Sequence, residues 1–203
     1  VTCGVGIVEN GSVFLGYDSM ASTNWVSHNS QSKRPIQKGE MVFLIAGSPR
    51  IAQLIEFTLS LPKHPDDYSV EGYMVTFVVD ALRQCFLDGG HVKKENEEEA
   101  FDSHLLIGYR GHLFTIGSDF QVLETRDGYA AVGSGQEVAL GALFATAGRS
   151  PSHRLLHALE AASYHTPFVR GPYHFLEVKN EPGSENPCEV VVLDRGLGAE
   201  HRH

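Results

Sequence analysis

Asn10-Gly11 constrains this chain more than any other dipeptide in it. It sits between two runs rich in β-forming residues, 3–9 (Cys-Gly-Val-Gly-Ile-Val-Glu) and 12–18 (Ser-Val-Phe-Leu-Gly-Tyr-Asp). Both central positions of a type I′ turn need positive φ, which Asn and Gly tolerate, so the chain is predicted to open with a tight β-hairpin. A two-residue turn also sets the register, with partner numbers summing to 21, so that Cys3 faces Asp18 and Thr2 faces Ser19. Successive side chains alternate between faces, so Thr2 and Asp18 come close yet point apart unless a bulge or a longer turn intervenes.

The rest of the chain alternates strands with pairs of helices. Ser19 to Ser32 is polar and without periodicity, and reads as a loop. Met41 to Ala46 is a short continuous apolar run, the pattern of a strand buried on both faces. Ser48-Pro49 supplies an N-cap and a first-turn proline for a helix carrying Ile51, Leu54, Ile55, Thr58 and Leu59 and stopped by Pro62. A second helix is predicted from Ser69 to Leu87, with Met74, Phe77, Val78, Ala81 and Cys85 on one face and Gly89-Gly90 closing it. Lys93 to Glu99 reads as a solvated charged connection.

Strands follow at Leu105 to Tyr109 and His112 to Ile116, joined by Arg110-Gly111, with extended pieces near Val122 and at Tyr129 to Val132. Gly133-Ser134-Gly135 leads into a helix carrying Leu140, Leu143, Phe144 and Ala147 and ended by Gly148. Ser150-Pro151 starts another helix by the same cap chemistry, with Leu155, Ala158, Leu159 and Ala162 facing in. Tyr173 to Val178 and Glu189 to Leu193 are closing strands. This order predicts an α+β domain with two packed sheets inside and helix pairs outside, spanning 1–203 with no repeat, linker or boundary.

Composition excludes several classes of function. Among 203 residues, 16 Lys and Arg against 25 Asp and Glu leave a net charge of −9, unsuited to counterion-displacing nucleic-acid binding or to a polybasic membrane anchor. No apolar run approaches the roughly 20 residues of a spanning helix, and no basic start with an apolar h-region marks a secretory signal. The three cysteines, Cys3, Cys85 and Cys188, form no CxxC pair and no disulfide framework, so a reducing cytoplasm is expected.

Five pieces stand out in order along the chain: Thr2 near its start, Asp18 closing the second strand, Lys33 beyond the next loop, Ala46-Gly47-Ser48 at a strand-to-helix turn, and Gly133-Ser134-Gly135 before a helix. Together they resemble the proteasome β-subunit and HslV group of N-terminal-nucleophile (Ntn) hydrolases, above all the short bacterial and phage relatives that begin Met-Thr-Cys. The resemblance implies a four-layer αββα sandwich and a threonine-type peptidase. It needs no cofactor and no metal. It also implies homo-oligomers such as rings, peptide or protein substrates, and an ATPase unfoldase supplied by another chain.

The chemistry explains these residue types. A threonine hydroxyl is a weak nucleophile unless a base adjoins it, and a free α-amino group on the same residue, titrating near neutrality, is such a base. A peptide bond to Val1 abolishes that basicity. Val1 aligns with the initiator methionine of the relatives, so it is expected to be a start residue trimmed to expose Thr2. The resemblance places Lys33 beside the Thr2 hydroxyl, Asp18 against that lysine, the Gly47 N–H at the oxyanion and Ser134 near the amine. Lys38 is the alternative to Lys33. One departure concerns residues 165–172, His-Thr-Pro-Phe-Val-Arg-Gly-Pro, where the family carries an aspartate followed by serine and glycines. Thr166 or water is then left to support Ser134 and the amine.

Other readings compete. Gly133-Ser134-Gly135 is a phosphate-type loop only in its glycines, lacking the Lys-Ser/Thr of a P-loop. His153 and His157 have helical ligand spacing without the glutamate of HExxH. His201 and His203 sit in a tail without context. Cys3 is a nucleophile only if Thr2 is also removed, and otherwise a small packed side chain. The missing aspartate keeps open a catalytically silent structural subunit. An Ntn amidase or peptide ligase is the third reading.

Overall fold

In the computed structural model, residues 2–23, 26–29, 35–95, 98–179 and 190–192 are described. Val1, Lys33, Cys188, His201 and His203 lie outside them. The opening hairpin forms as its turn demands. Strand β1 (Cys3–Glu9) pairs with β2 (Ser12–Asp18) from Glu9↔Ser12 to Gly4↔Tyr17. Asn10 and Gly11 take φ of 52° and 78°. The same chemistry recurs where Arg110-Gly111, with φ of 47° and 79°, joins β9 (Ser103–Tyr109) to β10 (His112–Ile116).

These hairpins seed two five-stranded sheets. The first has the order β12-β1-β2-β13-β14, with β12 (Tyr129–Gly133), β13 (Tyr173–Val178) and β14 (Val190–Val192). The second has the order β11-β10-β9-β6-β5, with β11 (Val122–Glu124), β6 (Met41–Gly47) and β5 (Ile36–Lys38). All their neighbouring strands run antiparallel.

Side-chain alternation divides the core into three clusters that give the layers their order. Val13, Leu15, Val42, Leu44, Leu106, Leu113, Val132 and Leu176 pack between the two sheets. Met41, Phe43, Leu105 and Ile107 turn outward from the second sheet onto α1 (Pro49–Phe57) and α3 (Val79–Asp88). Cys3, Val5, Ile7 and Phe175 turn outward from the first sheet onto α4 (Gln136–Ala145) and α5 (Pro151–His165). The predicted αββα sandwich is the observed one, and β6 is buried on both faces as its unbroken apolar run requires.

Several local expectations are corrected. Residues read as a polar loop form a two-stranded ribbon, β3 (Met20–Thr23) with β4 (Val26–Asn29). The charged connection pairs as β7 (Val92–Glu95) with β8 (Glu98–Phe101). Ribbons paired only to themselves need backbone hydrogen bonds but no apolar alternation, so periodicity is blind to them. The helix expected over 69–87 is α2 (Val70–Tyr73), a π turn (Met74–Val78) and α3, with Val79 N–H reaching back to Met74 O. The extra residue in that turn rotates the buried face, so Leu82 and Phe86 go inside while Phe77 and Ala81 are only half-buried. On α4, Ala139 and Leu143 face in, whereas Phe144, about 100° further round the helix, is 73% exposed.

Candidate active site

Thr2 and Asp18 meet without a bulge or a longer turn. The register is strict through Gly4↔Tyr17, but Thr2 lies just outside β1, where the pleat no longer dictates its direction. Its hydroxyl donates to Asp18 Oδ1, which also accepts the Cys3 N–H at 2.9 Å. The Arg170 N–H approaches Asp18 Oδ2 at 3.4 Å. Asp18 is fully buried and Thr2 nearly so. Three donors thus converge on a carboxylate withdrawn from water, which is what such burial requires.

The carbonyl of Thr2 accepts the Ser134 N–H at 2.9 Å, continuing the Cys3↔Gly133 pairing by one residue. Gly133 is required there. A Cβ on it clashes with the Thr2 carbonyl and lies 2.7 Å from Ala46 Cβ, at a φ of +91°. Gly133 therefore stands between the Thr2 carbonyl of the first sheet and Ala46, next to Gly47, of the second.

At the end of β6, Ser48 N–H is held by Asp102 O at 3.2 Å and by Ser103 Oγ at 2.9 Å. Consecutive N–H groups alternate sides along an antiparallel strand, so the Gly47 N–H is turned away from β9. Gly47 adopts φ of +145°, and a Cβ on it would lie 2.5 Å from Asp102 O. Ser48 Oγ in turn caps α1 by accepting the Arg50 N–H.

Of the residues expected from sequence, Thr2, Asp18, Gly47 and Ser134 gather at one end of the sandwich. Lys33 lies outside the described residues. Lys38 is removed as its alternative, because it pairs with Met41 at the far end of β6, about 20 Å of strand from Gly47. Thr166 is also removed as a donor to the amine, since its hydroxyl donates to Ala162 O at 3.0 Å and its methyl faces Gly135. The 165–172 segment instead gives Asp18 a backbone donor, and Pro172 O accepts both the N–H and the hydroxyl of Ser19.

Cys3 is a packed side chain. Burial foremost, then the charges of Asp18 and Glu137, pushes its thiol up to about 12, which leaves no thiolate near neutrality. Burial likewise raises the phenol of Tyr173, which pairs with Asp18 across the sheet. His153 and His157 meet with tilted rings on the exposed side of α5, with their Nε2 atoms 3.0 Å apart and Glu160 beside His157. Among the described residues no three His, Cys, Asp or Glu side chains cluster as a metal site needs. Ser103 went unnoticed in the sequence, where a serine opening a strand carries no signal.

No protein-family model matches the chain, and no curated protein does. Solved structures do. BPH from Thiobacillus denitrificans superposes with a TM-score of 0.73 at 20% identity, over 89% of this chain and 99% of that one. Anbu (a Gly-1 mutant) from Hyphomicrobium sp. strain MC1 gives 0.65 at 14% identity, over 94% and 85%. Eukaryotic HslV from Trypanosoma brucei gives 0.60 at 16% identity, over 86% and 98%. The layers, the strand orders and these neighbours together give this chain the fold of the proteasome β-type Ntn hydrolases.

Proposed function

We propose that the chain is a threonine-type amide hydrolase whose nucleophile is the Thr2 hydroxyl, exposed as the mature N-terminus by cleavage of the Val1–Thr2 bond, and whose substrates are peptides or proteins. The observation that carries this reading is the buried Asp18 carboxylate holding both the Thr2 hydroxyl and the Cys3 N–H, with Gly133 packed against the Thr2 carbonyl and against Ala46, the residue before Gly47. In the proposed cycle the Thr2 amine takes the hydroxyl proton and Oγ1 attacks the scissile carbonyl. The Gly47 N–H stabilises the oxyanion, and the amine returns its proton to the leaving amine. Water then attacks the acyl ester and regenerates Thr2. Lys33 and Ser134 keep the roles that the resemblance implies, electrostatic support of the alkoxide and of the amine. No metal or cofactor takes part in this cycle.

One neighbour, T. denitrificans BPH, is solved in complex with epoxomicin, which supports a ligand-binding site in this fold. Intact-mass measurement followed by labelling with a peptide vinyl sulfone tests the proposal. A protein beginning at Thr2 is expected to gain one label that Thr2→Ala lacks. Retention of Val1 in the purified protein, or absence of label on a proven free Thr2, overturns it. That second outcome favours the silent structural subunit, a reading supported by the lack of a carboxylate across 165–172. An amidase or ligase is separated by the products formed with added amines. Assembly into a homo-oligomeric ring is proposed with the same reading and is tested by sedimentation of the purified chain, and an ATPase unfoldase by ATP-dependent degradation in its presence. No helix among the described residues is long and apolar enough to cross a membrane, and a cytoplasmic place is proposed on the cysteine usage.

A further inference from the structure

Among the described residues, three polar or charged side chains are buried: Thr2, Asp18 and Ser103. Burying a hydroxyl costs free energy unless it is hydrogen-bonded, and the first two are buried where the proposed chemistry takes place. Ser103 stands on β9 opposite Gly47, in the other sheet from Thr2. Its Oγ donates to Asp102 O at 2.5 Å and accepts the Ser48 N–H at 2.9 Å. These bonds fasten the residue that follows Gly47, and a strand residue fastened on one side turns its predecessor to the other.

We propose that Ser103 is the positioning residue of the oxyanion donor: by holding the Ser48 N–H it keeps the Gly47 N–H turned away from β9, as the oxyanion role proposed for it requires. This rests on the amide-hydrolase reading of the Thr2 site. Three features of the turn agree with it. A Cβ on Gly47 would clash with Ser103 Oγ itself, so hydroxyl and turn are fitted to each other. Ser48 also caps α1, so a displaced Ser48 disturbs the helix N-terminus behind the site. Asp102 O receives the Ser103 proton and also takes a share of the Ser48 N–H. Loss of the Ser103 hydroxyl thus leaves one longer bond, at 3.2 Å, to hold the turn.

The test compares two probes on the full chain with a free Thr2 amine. A tripeptide aldehyde adds Thr2 Oγ1 to its carbonyl carbon, the π pair moves to oxygen and the hydroxyl proton passes to the amine, so the adduct carries an oxygen that needs the Gly47 donor. The matching vinyl sulfone bonds Oγ1 to the vinyl carbon farther from sulfur and places the same proton on the carbon next to sulfur, creating no such oxygen. Ser103→Ala is expected to weaken aldehyde affinity about tenfold, a fraction of what outright loss of an oxyanion donor costs, while vinyl sulfone labelling changes less than about threefold. Ser103→Thr, which keeps the hydroxyl, is expected to restore aldehyde affinity. If Ser103→Ala does not fold, Ser103→Cys, close in size but a weak acceptor, carries the same comparison. Equal losses with both probes, or unchanged aldehyde affinity, overturn the positioning role alone. A wild type that reacts with neither probe overturns the amide-hydrolase reading, and the role falls with it.

Discussion

Cys3 and Asp18 face each other across the hairpin, and burial acts on them in opposite ways. The carboxylate is matched by donors from Thr2, Cys3 and Arg170. Burial and the charges of Asp18 and Glu137 all act against the thiolate, and its folded pKa rises from 9.0 to about 12. The sign of the linkage follows. Below about pH 9 both folded and unfolded chains keep the proton and the full stability is present; between 9 and 12 only the unfolded chain releases it, and stability falls as pH rises. One such proton weighs about 1.4 kcal/mol per pH unit. Tyr73, Tyr109 and Tyr173, raised mainly by their burial, add to the alkaline loss. Urea midpoints measured from pH 8 to 11 are expected to fall for wild type and to fall less steeply for Cys3→Ala; identical slopes refute the assignment to Cys3. At the partner position, Asp18→Asn keeps the shape but replaces a carboxylate oxygen with an NH2 that cannot accept. Vinyl sulfone labelling of Thr2 is expected to slow roughly a hundredfold with the circular dichroism spectrum unchanged. A loss below about threefold excludes a role for Asp18 in activating the hydroxyl.

Helix starts show how far local chemistry carries a reading. Ser48-Pro49 and Ser150-Pro151 look alike in sequence, yet only Ser48 caps with its side chain, and Ser69, which no proline follows, caps as well. Ser69 Oγ accepts the Gly72 N–H at 3.0 Å, whereas the Ser150 hydroxyl lies near that of Ser152. Ser69→Ala is therefore expected to cost about 1 kcal/mol in urea denaturation and Ser150→Ala less than about 0.5. Equal costs would refute the distinction. The hairpins and β13 were legible because turn residues and alternation act within a few positions. The ribbons β3-β4 and β7-β8 were not, because pairing without a buried face leaves no pattern to read. The second ribbon is fastened instead by Arg83 on α3, which grips Glu99 through two nitrogens. In the site, the nearness of Thr2 and Asp18 followed from the turn register. Ser103 did not, because its meaning comes from a bond to Ser48, 55 residues earlier, that only the pairing of β6 with β9 creates.

At the scale of the molecule, the candidate site is a junction between the sheets, with Thr2, Asp18 and Ser134 belonging to the first and Gly47 and Ser103 to the second. Its geometry therefore depends on the apolar layer between them, and that dependence should fade with distance along β1. Leu44 lies over Gly4, where an added Cβ would be 3.5 Å from its Cδ1, two residues from Thr2 and three from Gly47. Leu113 lies over Gly6, further down the strand, with the corresponding distance 2.9 Å. Both leucines are buried, at 3% and 1% exposure, so truncating either to alanine should cost a similar 2–5 kcal/mol, roughly the range for such cavities. Their effects on chemistry should differ. The cavity left by Leu44→Ala lets β6 shift against β1 beside the site, and misplacements near an ångström cost up to about a hundredfold in rate. Vinyl sulfone labelling of Thr2 in Leu44→Ala is thus expected to slow at least about tenfold beyond any loss in Leu113→Ala, with both variants compared well below their unfolding midpoints. Equal labelling rates in the two would mean that the site is held by the first sheet alone, with the second sheet contributing a wall rather than a working edge.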